Sequence, residues 1–165
     1  MAYESVHLEN SIAIENIISV HYFQYMSDFS FPGESHDFWE LVCVDRGEII
    51  AVAGDRQLAL KKGNILFHKP NEFHNVLTNG RISPSLVVIG FDCHSPCMKA
   101  FEDQLMNVQD TEKELLAKII VEARNTFDGR LDDPYQEKLV FLEKQASFGA
   151  PQLIRHYLEQ LMIHL

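Results

Sequence analysis

The sequence predicts a mainly β unit followed by α-helices, and two observations carry that division. Up to about Phe91, short β-branched and aromatic runs recur at close, regular spacing between Gly-, Pro- and Asn-rich breakers, as in an antiparallel sandwich or barrel. From about Thr111 the apolar period changes to that of a helix. The chain has 165 residues, enough for one ordinary domain with a helical extension.

The strands follow in order. Ile17–Phe23 is rich in residues that favour extended backbone. Phe38–Val44 follows the turn-prone Phe31–Ser35. Glu48–Val52 and Arg56–Leu60 flank Ala53-Gly54-Asp55, a hairpin signal. Asn64–His68 and Ser85–Phe91 complete the set, with breakers at Lys61–Gly63, Lys69–Asn71 and Thr78–Gly80. Thr111 and Glu114 form a capping-box pattern at the start of a helix whose stripe runs through Leu115, Leu116, Ile119, Ile120, Ala123 and Phe127. Gly129 stops it. Asp133-Pro134 reads as the start of a second helix, which Phe148–Pro151 interrupts before Gln152–Leu165 resumes. The helical stripes are expected to form a helix-on-barrel core and a dimer face.

Composition narrows function. Acidic residues outnumber basic ones by 24 to 14, for a net charge of −10. Nucleic-acid binding draws on clustered Lys and Arg, so these residues are not expected to grip DNA themselves. No apolar run is long enough to span a bilayer, and Met1–Ser5 does not look like a signal peptide, so a cytoplasmic protein is expected. Cys93 and Cys97, spaced C-x3-C around a single His, read as loop thiols rather than a metal site. Cys43 makes the cysteine count odd, against a disulfide framework.

The stretch with most chemistry surrounds His36-Asp37-Phe38-Trp39-Glu40. Strand alternation puts Glu34, His36, Phe38, Glu40, Val42 and Val44 on one face and turns Trp39 toward a helix. Glu34, His36, Glu40 and His74 can all ligate a divalent metal, provided the strand of His74 lies adjacent. Equally, His36 and Glu40 can hydrogen-bond to each other inside the barrel. His68 and Lys69 can reach an anionic ligand at the barrel mouth or lie on the surface. Phe23, Tyr25, Phe29 and Phe31 supply aromatic surface for a pocket or for the core.

His36-x3-Glu40-x6-Gly47 resembles the first cupin motif, and Gly63 through Pro70 to His74 resembles the second. More narrowly, His-Asp-Phe-Trp-Glu-Leu followed by Gly-Asn-Ile-Leu-Phe-His-Lys-Pro-Asn-Glu-Phe-His is similar to the N-terminal sensing and dimerisation domain of AraC-type transcription regulators. Gln152–Leu161 resembles that domain's closing helix. The resemblance implies a cupin-like (double-stranded β-helix, or jelly-roll) barrel over residues 1–108, with two to three α-helices over 109–165. It implies a non-enzyme that binds an effector at His36, Phe38, Glu40, His74 and His68. The effector expected is a small molecule such as a carbohydrate or related metabolite. A divalent transition metal (Zn, Ni, Fe or Mn) is implied at His36, Glu40 and His74, with Glu34 standing where the motif usually has His. A homodimer through the C-terminal helices is also implied. DNA contact is expected only through a C-terminal helix-turn-helix part absent from these residues, because the last helix reaches Leu165 without a cap, as if cut short or belonging to a standalone domain. The rival expectation is a metal-dependent cupin enzyme, an oxygenase or isomerase.

Overall fold

The computed structural model describes residues 3–29, 31–143 and 147–165. The architecture is mainly β with C-terminal α, as expected. Strands β1 (Asn16–Gln24), β2 (Trp39–Arg46), β5 (Asn64–His68), β7 (Ser85–Asp92) and β8 (Leu105–Asn107) form an antiparallel sheet in the order β1-β7-β2-β5-β8. A smaller antiparallel sheet has the order β4-β3-β6, from β3 (Glu48–Ala53), β4 (Arg56–Lys61) and β6 (His74–Thr78). The β3–β4 hairpin turns at Gly54-Asp55, and Gly54 takes the positive φ of 57° that this tight turn requires. Strand β6 was not among those read from the sequence, and it completes the small sheet by pairing with β3.

Alternation along the strands separates two apolar clusters. Val42, Val44, Leu66, Leu86 and Val88 face inward and meet Ile49, Ala51, Leu60 and Val76 of the small sheet. Trp39, Leu41, Cys43, Ile65, Phe67 and Ile89 face outward and meet the helices. Trp39 thus lies on the helix side, as its parity predicted. Helix α1 (Asp110–Thr126) contributes Leu115, Leu116, Ile119, Ile120 and Ala123 to this outer cluster, and α2 (Ala150–His164) contributes Ile154, Leu158, Leu161 and Met162. The helical stripes are therefore core within the chain. Each fully buried Leu or Ile there stabilises the fold by about 1.5–3 kcal/mol.

Three details differ from expectation. The start of α1 is set by Gln109, whose backbone N–H donates to the Glu112 carboxylate at 2.6 Å, not by Thr111 and Glu114. The helix begins one residue before Thr111, which therefore lies inside it. Among the described residues, no helix starts at Asp133-Pro134. The Asp133 carboxylate accepts from the Tyr135 N–H at 2.9 Å, which closes a local turn instead. Tyr22 N–H donates to Leu131 O at 2.8 Å and ties this segment to β1. The chain then pairs β10 (Val140–Phe141) with β9 (Phe127–Asp128). Cys93 and Cys97 lie in a loop and in the 3₁₀ turn Pro96–Phe101 as free thiols; Cys43 and Cys93 are buried and Cys97 is exposed.

Candidate functional site

The histidine cluster is built by two segments far apart in sequence. Glu40 lies on β2 and faces inward, next to His68 of β5 on one side and Gly90 of β7 on the other. Glu34 and His36 precede β2 rather than extending it. Glu34 is held to β6 by an isolated bridge: its N–H donates to His74 O and His74 N–H donates to Glu34 O, both at 2.9 Å. Asn71 N–H donates to His36 O at 2.7 Å. Asn71 takes a φ of 64°, the left-handed conformation that Asn tolerates best after Gly.

The predicted residues converge. One ligand-capable atom from each of Glu34, His36, Glu40 and His74 lies within 4.8 Å of all the others. Nε2 of His36 and of His74 each stand 3.6 Å from a Glu40 oxygen. The His36 and His74 rings meet edge-on with centroids 4.7 Å apart, and Phe38 stacks flat on His36 at 3.6 Å. His68 is fully buried, which removes the surface alternative for it, and its ring stacks on His74 at 4.5 Å. Lys69 turns outward to Glu72 and Asp103.

The tautomers follow from the acceptors. Nδ1–H of His36 donates to Phe38 O at 3.1 Å, and Nδ1–H of His74 donates to Glu72 O at 2.9 Å. In a neutral ring Nε2 then carries a lone pair, and both Nε2 atoms are buried without a hydrogen-bond partner. Two lone pairs and a carboxylate face one another across a few ångströms. That arrangement calls for positive charge between them, either a proton or a cation.

The electrostatics of the individual groups agree. At Glu40, burial favours the neutral acid, but His36, His74 and His68 outweigh it and hold the carboxyl below its ordinary range. At His36, burial opposes charge, yet the Glu40 carboxylate raises its pKa. At His74, burial dominates and lowers the pKa despite Glu40. At Glu34, burial and the nearby Glu40 raise the pKa.

The donors fit a metal ion. Around a cation with bonds of about 2.0–2.2 Å, opposed ligand atoms stand at most ~4.4 Å apart, so the spread of 4.8 Å needs only a small contraction. The Nδ1–H bonds to backbone carbonyls are the usual orienting contacts of ligating histidines.

Three neighbours escaped the sequence reading. His21 is buried on β1 with the parity of Phe23 and Tyr25, and its Nδ1 has no partner. Burial lowers its pKa. Glu72 is buried, with an oxygen 3.5 Å from His68 Nδ1. Gly90 leaves room for Phe38: a Cβ there would stand 2.8 Å from Ser19 Oγ and 2.9 Å from the Phe38 ring. His21 was legible from alternation along β1, whereas Gly90 carried no signal. Phe23, Tyr25 and Phe29 pack in the barrel interior, with Tyr25 and Phe29 stacked at 3.8 Å.

Comparison with known proteins agrees with the resemblance seen in the sequence. Residues 16–80 match the family described as AraC-like ligand binding domain. Over 45 residues the chain is 40% identical to the HTH-type transcriptional activator RhaS of Pectobacterium carotovorum subsp. carotovorum, and over 45 residues equally so to RhaS of Pectobacterium atrosepticum. Each match covers 27% of this chain and 16% of the relative, so the chain aligns with a small part of those proteins. Among solved structures, the Schizosaccharomyces pombe Cnp3 cupin domain is 12% identical with a TM-score of 0.44, over 53% of this chain and 65% of that one. An RmlC-like cupin with a double-stranded β-helix fold from Methanocaldococcus jannaschii is 13% identical with a TM-score of 0.43, over 60% of this chain and 95% of that one.

Proposed function

We propose that this chain is the effector-sensing part of an AraC-type transcription regulator, and that the histidine cluster is its ligand site. One observation carries the reading. Nε2 of His36 and of His74, both buried and unpartnered, point with the Glu40 carboxylate at a shared point. The family match over residues 16–80 supports a binding role over a catalytic one.

In this reading Glu34, His36, Glu40 and His74 hold a divalent transition metal, with His68 packed behind His74. Bound there, the metal would supply a Lewis-acid grip on oxygen atoms of the effector. Phe38 offers an apolar face beside the cluster, as a sugar ring requires. The four donors are too close together to enclose a sugar, so a carbohydrate or related metabolite would sit on the open side, where Glu34 is exposed.

The response is a population shift: the effector must bind one packing of barrel and helices better than another. Exposed Leu153 and Ile163 on α2 and Val121 on α1 supply apolar surface for a homodimer through the helices. DNA contact would belong to a separate domain of the regulator. The rival reading, a metal-dependent cupin oxygenase or isomerase, draws on the same donor set.

Metal titration followed by calorimetry and thermal unfolding tests the site. Zn²⁺ or Ni²⁺ should bind with a stoichiometry of about one and raise the melting temperature. His74→Ala should weaken that binding by about 100-fold or more and still fold. Retention of full affinity in His74→Ala would overturn the assignment. A sugar panel on the metal-loaded protein then separates the two functions: a saturable melting shift without turnover supports a sensor, and turnover supports an enzyme.

A further inference from the structure

A second cavity lies on the opposite face of the large sheet and shares no residue with the histidine cluster. It has a volume of about 280 Å³ and opens between α1 and the outward face of the strands. Its floor is apolar: Cys43, Val87, Val108, Leu116 and Ile120 are all buried. Its rim is cationic, with Lys62 from the β4–β5 turn and Lys113 and Arg124 about three turns apart on one α1 face.

The rim's charges are poorly matched. Lys113 pairs with Asp110 at 3.3 Å. Among the described residues, Lys62 and Arg124 take part in no ion pair. The one acidic lining residue, Asp45, accepts a hydrogen bond from the Tyr22 hydroxyl at 2.9 Å. Two unpaired cations above an apolar floor, in a chain of net charge −10, select an amphipathic anion.

We propose that this cavity binds a small carboxylate with an apolar body, its chain or ring against Leu116, Ile120 and Val87 and its carboxylate at the cationic rim to which Lys62 and Arg124 contribute. The volume falls just below the usual range of about 300–1,000 Å³ for drug-sized ligands, which fits a medium-length acyl chain or a single aromatic ring system. The cavity lies under α1, so occupancy bears on how that helix seats on the sheet. The proposal stands apart from the function of the barrel.

The probe is octanoate, titrated by calorimetry and mapped by NMR chemical shifts, with octan-1-ol and octylammonium as partners that keep the tail and change the head. Octanoate should bind saturably, shift resonances of Leu116 and Ile120, and bind at least ~10-fold more tightly than either control. The exposed double variant Lys62→Glu/Arg124→Glu should lose a similar factor, and Ala117→Trp, which fills the cavity from the helix surface, should abolish binding. Both variants should keep the parent's circular dichroism. His36→Ala/His74→Ala should leave octanoate affinity unchanged. Absence of saturable binding up to millimolar octanoate, equal binding of octan-1-ol, indifference to the charge reversal, or loss of binding in the double histidine variant would each overturn the proposal.

Discussion

The two faces of the five-stranded sheet use the same strands for opposite ends. On the outward face, Trp39, Leu41 and Cys43 join the apolar cluster formed by the sheet and the helices. On the inward face, Glu40 sits between His36 and His74, beyond which Val42 and Val44 restore an apolar interior. The outward face buries its β2 side chains among apolar ones. The other keeps buried nitrogen atoms without partners, a cost that a binding site tolerates and a core does not. Stability and recognition are therefore separable here at single-residue resolution.

The sharpest way to break that contrast is to compare neighbours on β2. Leu41→Ala on the outward face should lower the unfolding free energy by about 2–5 kcal/mol, measured by urea denaturation. Glu40→Gln on the inward face should cost less, about 0.5–1.5 kcal/mol, since it removes the charge that His36 and His74 favour while its amide can still donate to one of the unpartnered Nε2 atoms. The same variant should lose metal uptake. Equal losses of stability in the two variants would mean that both faces serve the fold alike.

A smaller effect is expected where the two faces constrain each other. Gly90→Ala pushes a methyl group against Ser19 and Phe38, so it should destabilise by about 1–3 kcal/mol. Because Phe38 stacks on His36, metal affinity should fall as well, although Gly90 supplies no donor. A variant that loses stability but keeps affinity would show that Phe38 does not position His36.

The smallest effect is a pH dependence. Burial holds the pKa of His21 below its ordinary value of 6.5. The unfolded chain then binds more protons than the folded one as pH falls through that value, so stability is lost on acidification. His21→Phe should flatten the fall in melting temperature between about pH 7 and pH 5. An unchanged slope would place the acid sensitivity elsewhere.

Much of this was legible from alternation. The parity of Glu34, His36 and Glu40 survived even though β2 begins only at Trp39, because the preceding loop remains clipped to β6. What the sequence hid was tertiary. Asp133-Pro134 has the chemistry of a helix start, but the hydrogen bond from Tyr22 to Leu131 holds the segment against β1 and the Asp133 carboxylate closes a turn. His68 read equally well as surface or site, since only the pairing of β5 with β2 buries it. Gly90 reveals its purpose only through the ring it admits.

The two-bond clip between Glu34 and His74 joins positions forty residues apart, and Phe31 adds two more bonds to β6, its N–H donating to Val76 O and its O accepting from the Asn75 side-chain amide. A ligand grasping side chains on both sides would act as a reversible cross-link there. Protection of the loop around Gly33–Asp37 from proteolytic nicking would then report occupancy directly, without any need for the DNA-reading half of a regulator.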